Sequence, residues 1–121
     1  MSIASPIQVN NGVYRDAARV HASDDNPAVI PIGEYATQHQ ISIRVSADEG
    51  DSPASTGTLA LYGVPLGSDT AEVITDEAGD PVVFDITAPS TFRVSGVWEE
   101  FQLVPTGVDG NYITDTCGWL D

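Results

Sequence analysis

An antiparallel, all-β sandwich is the architecture this sequence predicts, and three observations predict it. Eleven glycines and eight prolines punctuate the 121 residues at short intervals, which suits many short strands better than long helices. About eight stretches of apolar alternation recur at spacings of roughly ten residues. No helical period of crossover length separates them, so a two-sheet sandwich or a jelly roll fits and a parallel α/β sheet does not. At 121 residues the chain is sized for one hydrophobic core. It divides into an N-terminal arm over residues 1–11 and a single domain over 12–121.

The arm, MSIASPIQVNN, alternates weakly and contains a Ser-Pro step, so it reads as an arm or edge strand ordered by a neighbour. Residues 12–22 admit two readings. Val13, Ala17 and Val20 would line a short helix, whereas Ala18, Val20 and Ala22 would line a strand, and strand is preferred. Residues 23–27 form a turn by composition, and the apolar piece 28–32, ending at Gly33, is expected to close a hairpin with the preceding strand. Over 40–45, Ile41, Ile43 and Val45 alternate with Gln40, Ser42 and Arg44, one face dry and the other wet. Residues 47–57 make a long polar loop.

The stretch 58–64 resumes as a strand with Leu59 and Leu61 inward. A turn over 65–69 and a short strand over 71–75 precede a second turn over 76–81. Val82, Phe84 and Ile86 then point one way, Asp85 and Thr87 the other. Residues 90–119 read as three consecutive strands in a meander, with Phe92, Val94, Phe101, Leu103, Ile113 and Trp119 in the core. Ile113, Cys117 and Trp119 are expected on one face of the last strand.

Eighteen acidic residues face four arginines and no lysine, for a formal net charge of −14. Nucleic acid and anionic membranes are therefore poor partners, because a phosphate-binding surface needs a sizeable basic patch. The start lacks the basic and apolar blocks of a signal peptide, and no apolar run reaches ~20 residues. The chain reads as soluble and not secreted through such a peptide. Abundant Asp, Thr, Val and Gly without lysine also resembles proteins of salt-loving hosts, whose carboxylate repulsion is screened by salt. Cys117 is the single cysteine, which excludes an intrachain disulfide and suits a small buried apolar residue.

Little in the sequence points to catalysis. His21 and His39 are the only histidines; they read as polar strand or loop residues, and Cys117 beside either would be a bare nucleophile pair without further signature. The GxSxG, HExxH, GxxxxGK[ST] and GxGxxG motifs are missing. No catalytic residue and no cofactor is assigned. Hard oxygen donors cluster at Asp48, Glu49 and Asp51 and again at Asp76, Glu77 and Asp80, calcium candidates without EF-hand spacing. Arg15 and Arg19 are the closest basic pair, natural partners for carboxylates within the chain or across a subunit contact. Trp98, placed at a turn beside Glu99 and Glu100, is the third interface candidate.

Four pieces carry a family resemblance. NPAVIPIGEY precedes the strand HQISIRVSA; the loop DEGDSPASTG leads into TLALYGVP; EAGDPVVFDITAPSTFRVSG supplies a turn and two strands; and EEFQLVPTGVDGNYITDTCGW closes the chain. Their order, over most of residues 17–119, resembles the small β-sandwich virion proteins of tailed viruses, of the capsid decoration, cement, turret or tail-accessory type. The resemblance implies a jelly-roll-like sandwich without enzymatic activity. It further implies symmetric binding, often as trimers or pentamers, to the major capsid protein or other virion proteins, after synthesis in the host cytoplasm. A glycan- or receptor-binding module is the alternative, with Trp98, Tyr35 and Tyr62 as exposed aromatics and the 47–57 loop presented to the ligand.

Overall fold

The structure, a computed structural model, describes residues 13–33, 35–45 and 53–120. These form nine strands: β1 Tyr14–His21, β2 Ala28–Pro31, β3 Gln38–Val45, β4 Thr58–Pro65, β5 Glu72–Val73, β6 Val83–Asp85, β7 Ser90–Ser95, β8 Trp98–Thr106 and β9 Tyr112–Trp119. The arm over 1–11 and most of the 47–57 loop lie outside the described residues. The stretch 12–22, ambiguous by pattern, is strand from Tyr14 onward.

Every named strand pair is antiparallel. Sheet I has the order β1-β9-β3-β7, and sheet II has the order β2-β8-β4-β5 with β6 also on β4. The chain therefore crosses between the sheets at most of its links, with β4, β5 and β6 successive in sheet II, and the result is a two-sheet antiparallel sandwich. Two expectations are overturned by this order. β1 and β2 are not a hairpin, since β1 pairs β9 and β2 pairs β8. Nor is the C-terminal third a meander, since β7 and β9 both flank β3 while β8 lies between β2 and β4 in the opposite sheet.

The physical reason lies in the corner between β7 and β8. Only Gly96 and Val97 separate them, a link short enough for a hairpin, yet Gly96 at φ 109° turns the chain across the sandwich. The Gly96 amide donates to the Thr37 carbonyl at 2.8 Å. The Trp98 indole Nε1–H donates back to the Ser95 carbonyl at 3.0 Å. The corner is thus fastened to the start of β3 and cannot fold flat onto β7.

Alternation placed most of the core correctly. Ile41, Ile43, Leu59, Leu61, Phe101 and Leu103 are buried at 2% exposure or less, and Val82, Phe84 and Ile86 share one buried face. Burying an aliphatic side chain of this kind contributes about 1.5–3 kcal/mol. The last strand reverses its expected parity. Tyr112, Thr114, Thr116 and Gly118 face inward, while Cys117 and Trp119 are half-buried on the outer face. Trp119 is not a core residue, and Cys117 is not a fully buried one. Ile113, though 6% exposed, shares their outward parity.

Gly118 faces inward because Tyr14 fills the space beside it. The Tyr14 ring also abuts Gly33, where an added Cβ would stand 2.8 Å from it. A Cβ at position 118 would run into the Tyr14 ring and come within 2.9 Å of the Gln38 carbonyl oxygen. Gly118→Ala is expected to destabilise the fold by about 2 kcal/mol through overpacking, read as a lower urea midpoint; an unchanged midpoint would show that the ring is free to move.

Candidate functional site

The groups best suited to proton chemistry are drawn inside. His39 is fully buried. Its Nε2 lies 2.9 Å from the Gly96 carbonyl, an acceptor only, so Nε2 carries the proton. Nδ1 then accepts from the Tyr14 hydroxyl at 2.7 Å. Phe101 meets the imidazole edge to face, with ring centroids 5.2 Å apart. His21 stacks on Tyr112 at 5.1 Å, and its Nε2 bonds the Thr114 hydroxyl at 2.9 Å. Both histidines are strand residues, as their polar character in the sequence suggested, but each occupies a buried position with a hydrogen-bond partner on a neighbouring strand or corner.

Burial sets the protonation of these groups. It lowers His21 from its ordinary 6.5 to about 4, the Asp25 carboxylate opposing the shift and Arg19 adding to it. Burial lowers His39 too, against the pull of the backbone at Gly96 and Ala36. Tyr14 and Tyr112 are pushed up from 10.0, first by burial and then by nearby negative charge. All four are neutral packing groups at neutral pH, and Tyr14, His21 and His39 are hydrogen-bonded as well.

Arg19 belongs to the same interior edge. A bulge between Asp16 and Arg19 shifts the register against β9, leaving Ala18 at φ 53°. Arg19 and Asp16 thereby reach the same side, and the guanidinium grips the carboxylate at 2.7 and 3.0 Å, the carboxylate being 1% exposed. A buried carboxylate is tolerated only with such a partner. The bulge is anchored from the next strand, where Asp115 Oδ1 accepts from the Ala18 amide at 2.7 Å. The Arg15 and Arg19 pair is therefore split: Arg19 faces in and Arg15 faces out.

The outer face of sheet I gathers the remaining arginines. The register aligns Arg15, Cys117, Gln40 and Arg93 in one row across all four strands. The Arg93 guanidinium lies 5.4 Å from the centre of the Trp119 ring, and its Nε donates to Gln40 Oε1 at 3.3 Å. Arg44 reaches Asp115 at 3.3 Å. Arg44, Arg93 and Trp119 were not singled out by sequence. Only the strand register places them on one face, and no local pattern encodes it.

Trp98 begins β8 rather than occupying a turn. It is half-buried against the core, tilted on Phe101 with centroids 5.7 Å apart, and packed so closely over Gly63 that a Cβ there would stand 2.6 Å away. It closes one end of an open cleft of about 860 Å³ at the mouth of the sandwich, between β7 and the β5 side, with Phe92, Val94 and Ile74 also lining it. Tyr35 is exposed and Tyr62 half-buried.

The acidic turns are largely occupied with their own backbone. Asp76 Oδ1 accepts from the Ala78 and Asp80 amides at 2.9 and 3.0 Å, and Glu77 and Asp80 are exposed. Asp48, Glu49 and Asp51 lie outside the described residues. Among the described residues, no three His, Cys, Asp or Glu side chains converge as metal ligands would. Asp109 is the most strongly held surface acid. Its carboxylate accepts from the Ser55 hydroxyl and amide and from the Thr56 amide, at 2.6, 2.7 and 3.0 Å, which lowers it to about 2.

Two neighbouring threonines of β9 give opposite expectations. Thr116 Oγ1 is buried without a hydrogen-bond partner among the described residues, so Thr116→Val is expected to stabilise by about 1 kcal/mol. Thr114→Val, which strips His21 of its partner, is expected to cost about 1–2 kcal/mol. Urea titrations of both variants check the pair. The histidines also set a pH dependence. Their folded pKa values lie below the unfolded value, so their stabilisation is complete above about pH 6.5 and is lost as the pH falls toward the folded values. For His21, at about 4, the loss reaches about 2 kcal/mol by pH 5. A urea midpoint that stays flat from pH 7 to pH 5 would contradict a closed interior.

No protein-family model and no curated protein matches the chain. Among solved structures, a chain from the work titled "Bacillus endospore appendages form a novel family of disulfide-linked pili" is similar at 14% identity and a TM-score of 0.46. The likeness covers 100% of this chain and 98% of that one. A likeness this distant assigns neither family nor function.

Proposed function

We propose that the chain is a non-enzymatic structural protein that assembles by contacts between protein surfaces, and specifically a decoration or cement protein on the head of a tailed virus. One observation carries this reading. Both histidines, the groups able to exchange protons near neutral pH, are spent on joining strands inside the sandwich, while the outward-facing polar chemistry is that of a contact surface. β1 and β7 end sheet I, and β2 ends sheet II, with backbone edges that a neighbouring chain can pair. On this reading the partners are further copies, as a trimer or pentamer, and the major capsid protein. The arm over residues 1–11, which runs into β1, adds contacts on a neighbouring subunit.

The half-buried Trp98 at the cleft mouth favours a second reading, a receptor- or glycan-binding module of a turret, tail or fibre. Purified particles and a glycan array separate the two. Decoration predicts retention on particles and no array signal; a glycan module predicts the reverse. Deleting residues 1–11 is expected to weaken particle association at least tenfold while leaving the sandwich folded by circular dichroism. Association unchanged by the deletion would remove the arm from the assembly.

A further inference from the structure

Charge is divided between the two sheets. The strands of sheet I hold all four arginines of the chain, Arg15, Arg19, Arg44 and Arg93, against two carboxylates, Asp16 and Asp115. The strands of sheet II hold four carboxylates, Glu72, Asp85, Glu99 and Glu100, and no cation. Both aspartates of sheet I are already committed. Asp16 neutralises Arg19 inside, and Asp115 divides its oxygens between Arg44 and the Ala18 amide. Arg15 and Arg93 are left on the outer face with no carboxylate partner among the described residues. In a chain of net charge −14, this is a cationic face on an anionic body.

The outer face of sheet II has complementary character. The register places Val83, Ala60 and Val104 in one outward row, and Val73, Tyr62, Gln102 and Val29 in the next. Val29, Val73 and Val83 are 46%, 45% and 54% exposed. Glu100 flanks these rows opposite Val64, its carboxylate oriented by Gln102 at 2.7 Å, and Asp85 flanks them opposite Thr58. An apolar platform edged by carboxylates suits a partner that presents arginines around an aromatic ring. Sheet I presents Arg93 over the Trp119 ring, with Arg15 in the same row as Arg93 and Arg44 further along the same face.

We infer that the outer face of sheet I docks on the outer face of sheet II of a second copy, so that copies stack in one direction, cationic sheet on anionic sheet. The contact is heterologous: each pair keeps one free face of each kind, and growth continues until a ring closes or a fibre forms. A four-stranded face of eight-residue strands measures about 19 by 26 Å, on the order of 500 Å². That falls short of the ~800 Å² per partner of a standard stable interface. A single contact is therefore weak, and repetition or a templating particle supplies the rest.

This inference rests on the reading of the chain as a self-assembling structural protein, and charge reversal tests the two separately. The first variant, Arg15→Glu with Arg93→Glu, makes both faces anionic. The second, Asp85→Arg with Glu100→Arg, makes both cationic. Each alone is expected to associate at least tenfold more weakly than the parent chain in sedimentation equilibrium. Mixed one to one, they regain both complementary contacts, and association returns. Circular dichroism confirms that each variant is folded. If either variant assembles as the parent does, or if the mixture stays monomeric, this pairing of faces is wrong while self-assembly stands. If the parent chain is monomeric up to millimolar concentration, the docking of face on face is wrong, while retention on particles decides the structural reading separately.

Discussion

His39 is the fixed point of the sandwich. A single imidazole, fully shut off from water, joins β1 through the Tyr14 hydroxyl and the β7–β8 corner through the Gly96 carbonyl, while sitting in β3 at the centre of sheet I. Its two ring nitrogens need one acceptor and one donor, and the neutral tautomer satisfies both. The rest follows from that arrangement. Tyr14 has to lie flat across the sheet end, so positions 33 and 118 have to be glycine. Gly96 has to turn toward sheet II, so β8 is delivered to the opposite layer. The polar interior is thus a set of joints between strands that are distant in the chain.

The same arrangement separates the chemistry of inside and outside. Titratable groups that face inward are neutral or paired, which leaves the surface to be shaped by fixed charges. Those charges are sorted by sheet, although the sequence scatters them: Arg15, Arg44 and Arg93 are far apart in the chain and come together only because β1, β3 and β7 share one sheet. A protein whose overall charge repels its own copies can still associate when its few cations are concentrated on one face. The acidic excess then limits association to the geometry that brings that face against a carboxylate-edged one.

Strand positions were legible in the sequence because burial imposes a period of two, and Ile41 and Ile43, Leu59 and Leu61, and Val82, Phe84 and Ile86 show it plainly. Pairing was not legible. A two-residue link at Gly96 and Val97 looks like a hairpin turn, and only the contacts of Gly96 with Thr37 and His39 reveal that it crosses the sandwich. The parity of β9 was misread for a related reason. After Tyr112 its inward face is made of Thr114, Thr116 and Gly118, of which Thr114 serves His21 and Gly118 makes room for Tyr14, so it lacks the apolar bulk that marks a core face. Of the interface candidates, Arg15 stands on the cationic face, Arg19 belongs to a buried pair, and Trp98 is half-buried at the cleft.

The position of β9 in sheet I bears on how the chain is made. It lies between β1 and β3 and is the strand on which β1 depends for pairing, yet it is the last of the nine to be synthesised. During translation β1 has no partner until β9 has left the ribosome, and no neighbouring strand can form a provisional hairpin with it in the native order. Closure of sheet I is therefore expected to be a late and slow step of folding, as non-local pairing requires. Until then β1 is an unpaired, valine-bearing edge, and loss of the eight residues of β9 leaves sheet I without the strand that joins β1 to β3.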